Sequence, residues 1–157
     1  MAADNDEAIP KTSRSSLFSA KTEYACVSLL ELASHHGDPN PLRLKTIAEK
    51  HNISHRFLVQ ILLQLKAAGL VESIRGAAGG YHLARSPEQI TIADIVQVID
   101  PADPIRGGDD SNSSALIRAV HGLWADVQQA QRKILETTTL ADMVARSQGE
   151  SDLMYQI

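Results

Sequence analysis

The sequence predicts a mainly α-helical fold with one small β-hairpin, and three patterns lead to this prediction. Apolar residues recur at helical spacing through most of the chain. Two short apolar runs, "LVESI" and "YHLA", flank a glycine-rich stretch, as the two strands of a hairpin would. Between residues 116 and 134 an apolar side chain returns every three or four positions, which is typical of one long helix.

Composition narrows the class of protein. The chain has 157 residues, of which 43% are hydrophobic, enough for one ordinary domain or for a small domain with an added element. It shows no apolar run of about eighteen residues and no secretory signal, so we expect a soluble, cytoplasmic protein without a membrane partner. The single cysteine, Cys26, excludes an internal disulfide framework. Its helical spacing with Leu29 indicates a buried position, and a redox-sensing thiol is the alternative.

Charge is divided unevenly along the chain. The formal net charge is -4, yet residues 11–86 hold ten Lys and Arg against five Asp and Glu. Residues 87–157 hold five basic residues against eleven acidic ones. A basic part next to an acidic part suggests that the first meets a polyanion while the second does a different job.

The first half of the chain reads as three helices. Residues 1–18 have no periodicity, and we expect a disordered leader. A first helix should begin after Ser19 as N-cap and run to about His36. "LRL" at 42–44 alternates like a short strand, and "KTIAEKHN" predicts a second helix that buries Ile47 and Ala48.

A third helix gives the clearest local signal. Ser54 is placed to cap it and Gly69 to end it. Its apolar stripe consists of Leu58, Ile61, Leu62 and Leu65. Because only the few residues around 52–54 separate the second and third helices, the pair has the pattern of a helix-turn-helix.

After the hairpin, the chain returns to helices. Thr91 and Asp94 can form a capping box for a fourth helix, and residues 100–114 have the composition of a loop. The long helix that follows carries an apolar seam that needs a partner. Thr139 and Asp142 can cap a short last helix within 115–148, which leaves 149–157 as a tail. The seam consists of Leu116, Val120, Leu123, Val127, Ala130 and Ile134.

The order of elements from 19 to 99 is that of a winged helix-turn-helix domain. In that architecture the second helix of the pair enters the major groove of DNA and the hairpin, or wing, lies beside it. Glycines at the tip, among them Gly76, would allow positive φ angles and a close approach of the backbone to DNA. Arg75, just before them, would be delivered into the narrow minor groove, and a solvated surface charge is the alternative.

Three stretches resemble the Rrf2 family of bacterial transcription regulators, which includes regulators of iron-sulfur clusters, nitric oxide and cysteine metabolism. They are "SAKTEYACVSLLELA", "IAEKHNISHRFLVQILLQLKAAGLVESIRGAAGGYHLAR" and "ITIADIVQVID". The resemblance implies a homodimer that binds an operator palindrome, as a repressor or an activator, with the long helix crossing to the other subunit. It also implies the residues that contact DNA: Lys21 and Tyr24 at phosphates, Arg75 and Gly76 in the wing, and Ser54, His55, Arg56, Phe57 and Gln60 on the recognition helix.

Some of these positions have alternative roles. Ser54 can be an N-cap only, and Phe57 can be packing only. Val59 stands where one family member has a base-reading carboxylate, so the operator of that member is not implied here. Many relatives hold an iron-sulfur cluster through three cysteines in the loop after "VID", but this loop has neither cysteine nor histidine. Glu23 alone, at the place of a fourth ligand, does not hold a cluster, so we expect a cluster-free member without a cofactor.

Other functional classes find less support. The six histidines form no pair at ligand spacing on one helical face, and no nucleophile elbow or phosphate loop occurs, which disfavours an enzyme or a metal sensor. A winged-helix module that binds only protein remains as an alternative. It would be favoured if the basic residues were dispersed over the surface.

The C-terminus "SDLMYQI" suggests a partner. Tyr155 and a terminal Ile157 offer an apolar side chain next to a free carboxylate, a compact ligand for a protein pocket. Cysteine synthase accepts partner C-termini that end in isoleucine, and one branch of the resembled family works with that enzyme. We therefore expect a role in cysteine, sulfur or redox metabolism, against the alternative that the tail packs on its own dimer or has no partner.

Overall fold

The computed structural model describes residues 18–101 and 110–155. Helix α1 spans Ala20–Ser34, α2 Leu44–His51 and α3 His55–Ala67, and they are followed by strands β1 (Val71–Ile74) and β2 (Gly80–Leu83). Helices α4 (Ile92–Ile99), α5 (Ala115–Thr137) and α6 (Leu140–Tyr155) complete the fold. Short 3-10 turns lie at Pro87–Gln89 and Asp110–Asn112. The predicted fold class, helical with one hairpin and a long C-terminal helix, is confirmed.

Local hydrogen bonds explain where the helices begin. The Thr22 amide donates to the Ser19 hydroxyl oxygen over 3.2 Å, so Ser19 caps α1 as expected. Thr91 and Asp94 form the predicted capping box at α4, in which each side chain accepts from the other residue's amide. Thr139 and Asp142 make the same reciprocal pair before α6, at 3.0 and 3.1 Å.

Two left-handed residues end α2 and α3. Asn52 has φ +53°, and the Ile53 amide donates back to the Ala48 carbonyl at 2.9 Å. Gly69 has φ +77°, and the Leu70 amide donates to the Leu65 carbonyl at 3.0 Å, which is the Schellman pattern of a helix end. These two ends set the short turn between α2 and α3 and the direct passage from α3 into the wing.

One apolar core holds the helices together. Every member of the predicted α3 stripe is fully buried, and Ile47 of α2 and Leu29 of α1 are buried with it. Helix α4 adds Ile95, and Leu140 at the start of α6 is also fully buried in the same cluster. Since burial of each such side chain contributes about 1.5–3 kcal/mol, this cluster is the main stabilising feature of the fold.

The hairpin is tied to the chain between α1 and α2. Strands β1 and β2 are antiparallel, with Val71 opposite Leu83 and Ile74 opposite Gly80. Leu42 and Tyr81 exchange backbone hydrogen bonds of 3.1 and 2.7 Å as an isolated bridge. The strand expected at 42–44 is therefore only this bridge, because α2 already begins at Leu44.

The last helix differs from the expectation. We expected it to stop before Gly149, but α6 continues through Gly149 to Tyr155. A mid-helix glycine costs about 1 kcal/mol relative to alanine, which does not outweigh the capped start and the packing of the first turns. The segment from 149 to 155 is thus helical and not an unstructured tail.

Some predictions fall outside the described residues. The leader up to residue 17, the loop positions 102–109 and the terminal Gln156 and Ile157 belong to this group. Within the described part of the chain, none of the helices combines the length and the apolar character that a membrane span requires.

Candidate nucleic-acid interface

The first two turns of α3 present a polar row to solvent. Ser54, His55, Arg56 and Gln60 are exposed, while Phe57 is half-buried. Arg56 and Gln60 lie opposite the apolar stripe that packs on the core, so the amphipathic pattern of α3 itself orients them outward. Ser54 and His55 are exposed because they stand at the N-terminal end of the helix. The row combines a hydroxyl, an imidazole, a guanidinium and an amide, the group types that recognise base edges and phosphates.

Ser54 and Phe57 each have a possible structural role beside the row. The side chain of Ser54 makes no capping hydrogen bond although it occupies the N-cap position of α3, so the expectation that it caps the helix is wrong. Phe57 packs edge-on against Tyr24 of α1, with ring centroids 5.9 Å apart and an interplanar angle of 87°. Phe57 therefore joins α3 to α1, and Tyr24 is positioned by the same contact.

The wing begins beside the C-terminal end of α3. The Lys66 ammonium donates to the Ser73 hydroxyl of β1 over 2.6 Å. Arg75 follows β1 and is exposed at the start of the tip. Helix α3 and the wing are thus direct neighbours, and Arg75 stands on the wing.

Glycine is needed at the three tip positions for different physical reasons. Gly76 has φ +110° and open space around it, as expected for a residue that lets the backbone approach a ligand. A Cβ at Gly79 would lie 2.3 Å from the Ile74 carbonyl oxygen, and one at Gly80 would lie 2.4 Å from the Leu42 carbonyl oxygen. The chain's own packing therefore requires Gly79 and Gly80, which corrects the idea that all three glycines serve an approach to DNA.

Arg43 holds the wing tip from the other side, and sequence reasoning missed it. Its guanidinium donates to the Ala77 carbonyl oxygen within the tip, and its backbone forms the N-cap of α2. The wing is therefore fixed to the helix-turn-helix at both its base and its tip. No sequence signal marks Arg43, since the two partners are 34 positions apart.

Glu31 is a second residue that the sequence did not single out. This carboxylate of α1 is buried, and each of its oxygens accepts one hydrogen bond from the last turn of α2. Lys50 Nζ lies 2.6 Å from Oε1, and His51 Nε2 lies 2.7 Å from Oε2. Burial raises the pKa of the Glu31 carboxyl, but the hydrogen bonds and charges of Lys50 and His51 lower it more. The pKa is therefore below its ordinary value of 4.5.

Cys26 lies on α1, half-buried against the core. Burial, and to a smaller extent the nearby Glu23 carboxylate, raise the pKa of its thiol to about 11. At neutral pH the group is therefore a protonated thiol, which is a poor nucleophile and a poor metal ligand. This favours the buried-residue interpretation of Cys26 over the redox sensor.

Helix α5 exposes the predicted apolar seam. Along its 23 residues no side chain is buried. Leu116 is 80% exposed and Leu123 is 57% exposed, and Ile117 and Trp124 widen the apolar surface. A contiguous apolar surface of this kind marks an interaction site.

Histidines gather at one recess but form no metal site. His35, His36 and His82 line a recess between the end of α1 and the hairpin, together with Glu72 of β1. Among residues 18–101 and 110–155, no three His, Cys, Asp or Glu side chains are arranged to hold a metal ion.

Comparison with known proteins decides the family. A sequence model of the Rrf2 family, described as an iron-dependent transcriptional regulator, matches residues 18–146. The chain belongs to the Rrf2 family. The transcriptional regulator CymR of Bacillus subtilis is 38% identical over 135 residues, which cover 85% of this chain and 94% of that relative. IscR of Vibrio campbellii is 31% identical over 128 residues, which cover 80% and 75%.

Solved structures agree with this membership in the Rrf2 family. The structure of CymR, the global cysteine regulator of B. subtilis, matches with a TM-score of 0.69 and 34% identity over 82% of this chain and 96% of that one. The structure of T. potens IscR matches with a TM-score of 0.68 and 35% identity over 83% and 87%. The winged helix-turn-helix architecture is thereby confirmed.

The donor set of this Rrf2 chain does not fit an iron-sulfur cluster. Such clusters are held mainly by cysteine thiolates. The chain has one cysteine, and the loop after α4 contains none. Cys26 lies in α1 with a raised pKa, which disfavours the thiolate that iron requires. The thiolates of a single chain therefore cannot hold a cluster.

Proposed function

We propose that this chain is a sequence-specific, DNA-binding transcription regulator that acts as a homodimer. One observation carries the proposal: an exposed polar row on α3 stands beside a wing that presents Arg75. The row would read base edges in the major groove, and Arg75 would enter the adjacent minor groove. Lys21, half-exposed in the first turn of α1, would contact a phosphate together with Tyr24.

The exposed face of α5 supports the homodimer. A helix that has no fully buried residue in the single chain while carrying a heptad seam is best satisfied by the same helix of a second copy. Two recognition helices would then meet two half-sites roughly 34 Å apart, so the operator would be a palindrome.

The regulator would sense its signal without a cofactor. It would act in the cytoplasm, in the control of cysteine, sulfur or redox metabolism. The missing thiolate ligands support the first part, and the similarity to CymR, a cysteine regulator, supports the last. A partner such as cysteine synthase would hold the C-terminus through Ile157, with Tyr155 at the end of α6 next to it. The test is calorimetry of that enzyme with a peptide ending "DLMYQI" and with the same peptide shortened by Ile157.

The experiment that tests the central proposal is a mobility-shift assay with the protein's own promoter region and with duplexes selected from random sequence. A regulator retains a defined duplex in the presence of excess unrelated DNA. A winged-helix module that binds only protein would enrich no sequence, and that result would reject the proposal. The sign of regulation, with repression as our expectation, follows from transcription with and without the protein.

A further inference from the structure

Glu31 has no part in the DNA-binding role described so far. It is a buried anion in the basic part of the chain, and its side chain is 9% exposed. Its partners Lys50 and His51 are neighbours in the last turn of α2 and are 58% and 27% exposed. Both carboxylate oxygens are used, one for each partner, so the side chain grips the end of α2 at two points.

Stability alone is a weak reason for such a group. Taking a carboxylate out of water carries a desolvation penalty that the ion pairs offset only in part, so buried ion pairs add little net stability. What two short hydrogen bonds do provide is a defined geometry between α1 and the end of α2.

The end of α2 is directly connected to the α3 residues that are proposed to contact DNA. Only the turn Asn52–Ser54 separates His51 from the first residue of α3. Asn52 is held in the left-handed conformation and Ile53 is buried, so the turn has little freedom to absorb a displacement. A shift of the last turn of α2 therefore reaches the N-terminal end of α3, where Ser54, His55 and Arg56 lie.

We propose that Glu31 is a positioning residue for DNA reading: it clamps the last turn of α2 against α1 so that the exposed row of α3 has the angle that its operator requires. This inference rests on the proposed function of the chain as a DNA-binding regulator. It adds a residue that touches no DNA and yet determines specificity.

The pairing with Glu31 also determines the direction in which the Lys50 ammonium points. Paired with Glu31 at 2.6 Å, the ammonium is directed toward α1. Without the carboxylate, this half-exposed cation is free to approach phosphates, and contacts of that kind strengthen binding to any sequence. Loss of Glu31 should thus weaken operator binding while binding to unrelated DNA is unchanged or stronger, a combination that general unfolding does not produce.

Glu31→Gln makes the test specific. Glutamine replaces one of the two carboxylate oxygens, which accept, by an NH₂ group, which donates, whereas the two partners of Glu31 both donate. Its carbonyl can accept from Lys50, but its NH₂ can then pair with His51 only when the imidazole is neutral and Nε2 accepts. Protonated His51 offers no acceptor at Nε2, so the substitution should be tolerated at pH 8.5 and should disrupt the clamp at pH 6.

Other charged groups near Glu31 could affect the comparison between the two pH values. His35 Nδ1, one helical turn further along α1, lies 3.9 Å from Glu31 Oε1, and Lys50 lies on the same oxygen. Lys45 and Glu49 pair with each other on α2. Lys45, Glu49 and the exposed His55 keep their surroundings in both proteins, so their contributions cancel in the ratio of variant to wild-type affinity. His35 loses a charged neighbour in the variant, and the combination with His51→Gln described below separates its effect from that of His51.

The measurement is the affinity for the selected operator duplex and for unrelated DNA, at pH 6 and pH 8.5. We expect Glu31→Gln to bind the operator about tenfold more weakly at pH 6, the scale of one lost charged hydrogen bond, and near wild type at pH 8.5. The matched control is Glu49→Gln, which removes one negative charge from an exposed pair and should change operator binding equally at both pH values. When Glu31→Gln is combined with His51→Gln, operator affinity should no longer be weaker at pH 6 than at pH 8.5, because the two side-chain amides can pair with each other at both pH values.

The outcomes separate this inference from the proposed function. If wild type selects no operator, the proposed function fails. If wild type selects one but Glu31→Gln has the wild-type affinity and pH profile, or loses both kinds of DNA equally, the inference about Glu31 is wrong. Should Glu31→Gln melt too low for the assay, His51→Ala removes one arm of the clamp. It must then weaken operator binding several-fold with unrelated DNA unaffected, and unchanged operator binding would overturn the inference.

Discussion

At the residue scale, the proposed function gives Arg75 and Lys21 two different kinds of contact with DNA. Arg75 stands exposed on the wing, whereas Lys21 lies in the first turn of α1. We expect Arg75→Ala to weaken operator binding by about 1–3 kcal/mol, the scale of one good base-edge contact. Lys21→Ala should weaken all DNA alike and make the salt dependence shallower by about one. Fluorescence titrations at several salt concentrations measure both, and an Arg75→Ala protein with wild-type affinity would contradict the role of the wing.

Cys26 gives a prediction about reactivity. Because its pKa is raised to about 11, the thiolate fraction at pH 7 should be far smaller in the folded protein than in the unfolded chain. Labelling with a thiol reagent should accordingly be slow in buffer and fast in denaturant. Rapid stoichiometric labelling of the folded protein would show a reactive thiol and would favour the redox-sensing role of Cys26.

The sequence revealed those residues whose partners are close along the chain. Ser19, Thr91 and Thr139 were predicted as caps, and each pairs three positions away. Arg43 and Glu31 were missed, because their partners lie 34 and about 20 positions away and no periodicity announces them. Ser54 shows the reverse error, since its type and place favour a cap that its side chain does not make.

At the element scale, the wing depends on a turn that only glycine permits. Gly79 donates to the Gly76 carbonyl over 2.9 Å, and a Cβ there would collide with the Ile74 carbonyl oxygen. Gly79→Ala should therefore lower the free energy of unfolding by about 1–3 kcal/mol and reduce operator affinity.

The matched control is Gly149→Ala in α6, where a Cβ meets nothing. Alanine in a helix is favoured over glycine by about 1 kcal/mol, so this variant should be as stable as wild type or slightly more stable. Thermal melts of both variants decide the question, and equal stability of the two would argue against the tight wing turn.

The junction of α1 and α2 predicts acid sensitivity. The folded-state pKa of Glu31 lies below its ordinary value of 4.5, so the ionised carboxylate contributes stability above that pH. This contribution is lost as the pH falls through the lower, folded-state pKa. The free energy of unfolding of wild type should thus approach that of Glu31→Gln as the pH falls below 4.5, measured by urea titration. A difference that stays constant with pH would show that the charge of Glu31 adds nothing to stability.

The helices were predictable as elements, while their lengths were only partly so. The apolar stripe of α3 and the seam of α5 have clear periods, and both helices stand where the period placed them. The end of α6 was missed because Gly149 reads as a terminator in sequence. In the structure the helix continues past Gly149, which does not adopt the left-handed conformation of a helix end.

At the scale of the whole molecule, the seam of α5 predicts the oligomeric state. Leu123→Glu places a charge in the middle of the proposed dimer contact and should give monomers, since an unpaired charge is not accommodated in an apolar interface. The monomers should lose operator affinity because two linked readers are needed. Sedimentation of this variant should be compared with that of Ala125→Glu, which adds the same charge on the opposite face of α5. An intact Leu123→Glu dimer would contradict the seam as the contact.

The point where the chain re-enters its own core sets an order of events during synthesis. Leu140 is fully buried, its amide donates to the Ile90 carbonyl, and the Ile92 amide donates to the Thr138 carbonyl. A ribosome adds about 5–20 residues per second, so the stretch from 100 to 140 takes roughly 2–8 seconds. During that interval a nascent chain has the residues of the helix-turn-helix and the wing but lacks the Leu140 side chain that closes the core. The helix-turn-helix and the wing therefore complete their folding only after α5 has been made, so the apolar seam is already present on the chain when this core closes.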